Sequence, residues 1–153
     1  MKLTILAAAS AMLLSTASQA TVTVYNSQAA FAAALGPLTT EDFTDATLVS
    51  GLSYVSSVGT ISGGRFNDRT VLGGAQTTFS FAGGANGFGA IYDLSPGNFG
   101  QGLKFTLNLT AGGTEVVPVL AAFQVGQFFG FTSTNKFNSV LVTSGTNPGV
   151  AET

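Results

Sequence analysis

The chain contains no cysteine, no histidine and no tryptophan, and only 8% of its 153 residues carry a charge. Each absence removes a class of chemistry. Without Cys no disulfide can staple the fold, so the core must hold it. Without His or Cys, a Ser–His–Asp triad, a cysteine nucleophile and a zinc site of the usual ligand type are excluded. Without Trp the large platform common in sugar-processing enzymes is missing, and aromatic character rests on Phe and Tyr. The charge content is far below the roughly 25% of an ordinary soluble domain. No basic stripe exists, so neither nucleic acid nor an anionic membrane surface is an expected partner. No GxxxxGK[ST] phosphate loop occurs.

What is present is Gly, Phe and a set of uncharged polar residues. Twenty Gly and thirteen Phe stand out, and Ser, Thr and Asn carry most of the polarity. The first twenty residues, MKLTILAAASAMLLSTASQA, read as an export signal. Lys2 supplies a positive start, Leu3 to Leu14 an apolar run, and Ser18-Gln19-Ala20 the small residues a signal peptidase reads. The run is shorter than the roughly 20 apolar residues of a membrane-spanning helix. Residues 21–153 then form a single domain around one core. Its bases are Arg65, Arg69, Lys104 and Lys136. Its acids are Glu41, Asp42, Asp45, Asp68, Asp93, Glu115 and Glu152.

Hydrophobic periodicity predicts an all-β fold. Thr21 to Tyr25 alternates and reads as a first strand. NSQAAFAAALG follows, with Asn26 or Ser27 as a cap, Phe31 and Leu35 on one face, and Gly36-Pro37 as the stop. That is the one helix expected. A short strand is expected around Glu41 to Thr44. Tyr54 to Phe66 predicts two strands or one bulged strand ending at Gly63-Gly64. QTTFSF places Thr77, Phe79 and Phe81 on one face, and GFGAIYD places Phe88, Ala90 and Tyr92 on another. Leu103, Phe105, Leu107 and Leu109 alternate with polar residues and mark the clearest strand. Pro118 predicts an edge strand or a strand end. Near the end, Phe128–Phe131 and Phe137–Val142 flank a polar turn. The glycine pairs Gly63-Gly64, Gly73-Gly74, Gly83-Gly84 and Gly112-Gly113 read as turns. Seven to nine short strands with Gly-rich turns predict an antiparallel sandwich of two sheets.

Few residues offer chemistry. Calcium takes oxygen ligands, and Glu41, Asp42 and Asp45 are the candidate metal site, with Asn67-Asp68 as a further contributor. No DxDxDG loop supports it, and no other cofactor is expected. A glycosidase needs two opposed carboxylates. The acids between Glu41 and Glu115 are available, but no motif pairs them. Asn108-Leu109-Thr110 fits the glycosylation pattern, which on a strand reads as coincidence.

Three segments together resemble a known group. VYNSQAAFAAALGPLTTEDF, NGFGAIYDLSPG and GQFFGFTSTNKFNSVLV are similar to segments of exported bacterial proteins of the PEP-CTERM sorting type. The closing AET resembles the start of a strand such proteins continue. The likeness spans residues 22 to 153. It implies a jelly-roll sandwich, export across the inner membrane, and association with exopolysaccharide or biofilm. The Pro-Glu-Pro sorting signal is not within these residues, and the last strand is expected to be cut short at Thr153, leaving an open edge.

The resulting expectation is an exported, non-enzymatic jelly-roll-like β-sandwich, secreted, periplasmic or surface-associated. Its first expected partner is extracellular polysaccharide or biofilm matrix. The alternatives are an envelope assembly protein with protein partners, oligomeric through an open strand edge, and a polysaccharide hydrolase. Within the Phe-rich strand, Phe129 and Phe131 should face the core beside Val140 or Leu141. Phe128 should face outward, or lie under a loop or the helix carrying Phe31. Gly130 should leave that outer face bare for another backbone or a ligand.

Overall fold

The computed structural model describes residues 21–68, 75–93, 102–118 and 125–145, except the side chain of Val125. The expected export signal, Arg69, Gly73-Gly74, Glu152 and the expected open edge at Thr153 lie outside the described residues. Within them the chain is mostly β and antiparallel, with one helix. The elements are β1 (Val22–Tyr25), α1 (Gln28–Leu35), β2 (Leu52–Ser56), β3 (Thr60–Ser62), β4 (Arg65–Asn67), β5 (Gln76–Asp93), β6 (Leu103–Leu109), β7 (Thr114–Val116) and β8 (Val125–Ser144).

The helix forms where its signals predict. Ser27 caps it by accepting the Ala30 N–H, and Gly36 closes it with φ 79° while donating to the Ala32 carbonyl. Phe31 is its buried residue and meets the rings of Tyr25 and Phe128. β6 keeps the predicted alternation, with Leu103, Phe105 and Leu107 buried and Lys104 exposed. β7 stops before Pro118 and lies at a sheet edge, as that proline implies.

The stretch Glu41–Thr44 is not a strand. Its own carboxylates compete for the backbone: Glu41 accepts the Phe43 N–H at 2.7 Å, and Asp42 accepts the Thr44 N–H at 3.0 Å. Such local bonds favour turns over sheet ladders. Phe43 takes a positive φ of 54° there.

Two further departures share one cause. The segments around Phe79 and Phe88 are one strand, β5, and those around Phe129 and Val140 are one strand, β8. The glycines Gly83 and Gly84 do not reverse the chain; they bend it. Ser80 pairs with Ser139 and Ala85 with Phe137, so residues 81–84 bulge opposite a single residue of β8. Gly87 then pairs with Thr132, so residues 133–136 bulge in turn. Gly83 and Gly84 supply φ of 85° and 75°, which other residues resist.

Ring distances measure the bend. Phe79 and Phe88 would lie about 30 Å apart on a straight strand, yet their centroids are 5.5 Å apart. Phe131 and Phe137 are 6.3 Å apart across the matching bend of β8. Six strands form one hydrogen-bonded sheet in the order β2-β5-β8-β6-β7, with β1 also on β8, and β3-β4 form a separate hairpin. That sheet doubles back on itself. One arm holds β2, the first half of β5, the second half of β8, β6 and β7. The other holds β1, the first half of β8 and the second half of β5.

Phenylalanine fills the space between the arms. Phe105 of the larger arm stacks on Phe129 of the smaller at 5.5 Å and 18°. Phe129, Phe131 and Val140 are all buried in the same cluster, as the alternation predicts. Phe128 faces outward under Phe31, again as predicted. Gly130 is not bare, however. It pairs with Gly89, and the Phe128 ring folds over both, 2.8 Å from where a Cβ on either would sit. The aromatic ring of the same strand occupies the space expected for a ligand.

Candidate functional site

A cleft of about 1180 Å³ opens between the second half of β5, the β3-β4 hairpin and the loop before β2. Its floor is aromatic. Phe66 reaches Tyr54 at 4.8 Å and Phe79 at 5.1 Å, and Phe88 reaches Phe81 at 5.9 Å. Arg65 on β4 meets Asp93 on β5 at 3.5 Å, so the hairpin forms the opposite wall. Both partners are well exposed, and such a pair contributes little to stability.

The candidate calcium ligands serve their own loop. Both Glu41 oxygens accept backbone N–H groups, from Phe43 and Val49, each at 2.7 Å. Asp42 accepts from the Thr44 N–H and hydroxyl, and Asp45 from the Thr47 N–H at 2.6 Å. The Thr44 N–H, and then its hydroxyl, hold the Asp42 carboxyl below its ordinary pKa. Among the described residues no three acidic side chains gather as a metal-holding group. Glu115 lies apart on β7, where the Ser133 hydroxyl approaches it.

Asp68 is the acid that departs from this pattern. One oxygen, Oδ2, takes a short hydrogen bond from the Thr77 hydroxyl. The other, Oδ1, is buried with no hydrogen-bond partner among the described residues. Thr77 is fully buried and its Oγ1 lies 2.6 Å from Ser56 Oγ, which accepts the Gly59 N–H at 2.6 Å. Ser56 therefore donates to Thr77 and Thr77 to Asp68, the arrangement that uses each hydroxyl hydrogen once.

Desolvation raises the Asp68 pKa above its ordinary 3.8, and the Thr77 bond only partly opposes it. The native state thus holds this proton more tightly than the unfolded chain. The associated stability is fully present below pH 3.8 and is lost as pH rises through the folded-state pKa. Asp68→Asn keeps the acceptor for Thr77 and removes the charge. Thermal melts across pH should show it more stable than the parent at neutral pH, with the difference vanishing in acid. A variant equally destabilised at every pH would refute the assignment. Burial also lifts the Tyr92 phenol well above the ordinary tyrosine range, although the residue as a whole is only half-buried.

The outer face of the larger arm carries a second arrangement. Strand register lines up Ser53, Ser80, Ser139, Asn108 and Thr114 as one row across five strands. The adjacent row is Val55, Thr78, Leu141, Thr106 and Val116. Asn108 Nδ2 donates to Ser139 Oγ at 2.8 Å, so its amide belongs to the row. Val55 and Val116 stand exposed at the two edges, at 77% and 49%. One row is thus hydroxyl and amide throughout, and its neighbour alternates apolar groups with threonine.

No family model, curated protein or solved structure matches the chain. The candidate sites therefore rest on their own geometry. Neither the rows nor the Ser56–Thr77–Asp68 chain was visible in the sequence. Each joins residues from different strands, and no local motif marks the register that unites them.

Proposed function

We propose that this is an exported, non-enzymatic protein of jelly-roll type that binds extracellular polysaccharide in the matrix around the cell. The observation that carries the reading is the pair of rows on the outer face of the larger arm. A neutral polymer of hydroxyl groups needs donors and acceptors without charge, together with apolar surface for its C–H faces. The Ser53–Thr114 row offers the first, and the Val55–Val116 row offers the second. Neighbouring strands lie about 4.8 Å apart, close to the length of one sugar unit in an extended chain. Ser139, in the middle of the row, is buried and holds Asn108, so a glycan lying across the strands would meet Ser53, Ser80, Asn108 and Thr114.

The low charge of the whole chain supports the same reading. So does the resemblance to exported matrix-associated proteins, and so does the export signal read at the N-terminus. Four of the carboxylates are engaged otherwise: Glu41, Asp42 and Asp45 serve their own loop, and Asp93 faces Arg65.

Pull-down on insoluble neutral glycans tests the proposal. The parent should be retained. Ser53→Glu and Thr114→Glu place charges at the exposed ends of the row without touching the core, and should lower retention by tenfold or more. Retention on no matrix polymer, or equal retention of the charged variants, would sink the reading.

A further inference from the structure

The outer edge of the second half of β5 lies on the opposite side of the larger arm from the polar row. Among the described residues, Ala85 to Asp93 pair with β8 on one side only. β2 covers β5 only as far as Phe81, and no other described backbone group bonds to the outer side of the second half. Alternate N–H and C=O groups of an edge strand point away from its neighbour. Here they point into the cleft, which residues 84–93 line without a break.

The two arms differ in width. Five strands span about 19 Å and three span about 10 Å, at a spacing near 4.8 Å. The smaller arm leaves part of the larger uncovered, beside β5. Tyr54, Phe66, Phe81 and Phe88 are only half-buried there. Natural edges guard themselves with Lys, Pro or a covering element. ANGFGAIYD, residues 85–93, contains neither Lys nor Pro. The cleft is also acidic, with Glu41, Asp42, Asp68 and Asp93 against Arg65 alone.

We infer that the outer edge of Ala85–Asp93 binds an extended segment of a partner protein, added as a fourth strand of the smaller arm. The incoming segment carries apolar residues at alternate positions, over Phe66 and Phe88, and lysine or arginine beside them. Main-chain hydrogen bonds supply affinity and the side-chain alternation supplies specificity, as in other strand additions. Charge selects against a second copy of this chain, which would bring the same acids to the same cleft. The Arg65–Asp93 pair is exposed and parts at little cost.

The probe is a synthetic peptide as long as Ala85–Asp93, with Val and Thr alternating and Lys at both ends. Calorimetric titration into the intact chain should give saturable binding. N-methylation at alternate peptide nitrogens removes the donors an added strand needs, and should weaken binding at least tenfold. Replacing the terminal Lys by Glu should weaken it as well. Amide hydrogen exchange of residues 85–93 should slow when the peptide binds. Absence of binding, or equal binding of the N-methylated peptide, overturns the proposal. A dimer in light scattering whose 85–93 amides are already protected also overturns it, since a second copy would then hold the edge.

Discussion

Phe131→Ala is expected to lower the melting temperature by about 10–20 °C, as read by circular dichroism. Phe131 is fully buried and its ring meets Phe88, Phe105, Phe129 and Phe137. Those partners come from both arms, so the truncation opens a cavity at the seam where the sheet closes on itself. Removing a buried Phe side chain costs about 3–5 kcal/mol. A domain of this size has only about 5–15 kcal/mol to lose. Phe128→Ala, three positions earlier, should be milder. Its ring is half-buried, and it loses the contact with Phe31 and the cover over Gly89 and Gly130. Should Phe128→Ala prove the more damaging change, the face assigned to this strand is wrong by one residue.

Facing was legible in the sequence because it follows from a local period of two. Phe129 and Phe131 inward, Phe128 outward and the run from Leu103 to Leu109 all needed only alternation. The helix was legible because Ser27 and Gly36 act within a few residues of themselves. The bends were not. Gly83-Gly84 between two alternating runs has the same local appearance whether the chain reverses or merely bulges. The outcome is decided by β8, whose residues 133–136 make the compensating excursion. Glu41–Thr44 failed for the opposite reason. A short strand was expected there, but Glu41 and Asp42 bond to N–H groups two residues on and hold a loop instead.

The candidate sites were less legible still, because they consist of register. Ser53, Ser80, Asn108, Thr114 and Ser139 are unremarkable polar positions until pairing sets them side by side. The same pairing leaves Ala85–Asp93 with β8 on one side and, among the described residues, no strand on the other. A composition poor in charge indicated what kind of surface to look for, but only the fold decides which side chains share it. The polar row lies on the outside of the larger arm, and the free edge belongs to the smaller.

Two glycines lie under the Phe128 ring on the outer face of the smaller arm, and the second large effect is expected there. Gly89 on β5 and Gly130 on β8 are direct partners in the ladder. A Cβ added at Gly89 would meet the Phe128 ring at 2.8 Å and would also lie 2.9 Å from the Gly130 Cα and 3.2 Å from the Phe129 carbonyl oxygen, both backbone atoms that remain when the ring is removed. A Cβ added at Gly130 would first meet the Phe128 ring, at 2.8 and 2.9 Å, with the Gly89 Cα at 3.2 Å. Backbone inside a paired sheet cannot yield without breaking the ladder, whereas a half-buried ring can turn aside. Gly89→Ala should therefore cost the upper part of the roughly 1–3 kcal/mol typical of overpacking, and Gly130→Ala the lower part. A double-mutant cycle separates the two causes. Adding Phe128→Ala should relieve most of the penalty at Gly130 and little of that at Gly89. If urea denaturation shows both glycine variants rescued equally, the ring is the obstacle at both positions, and the close backbone approach at Gly89 carries no cost of its own.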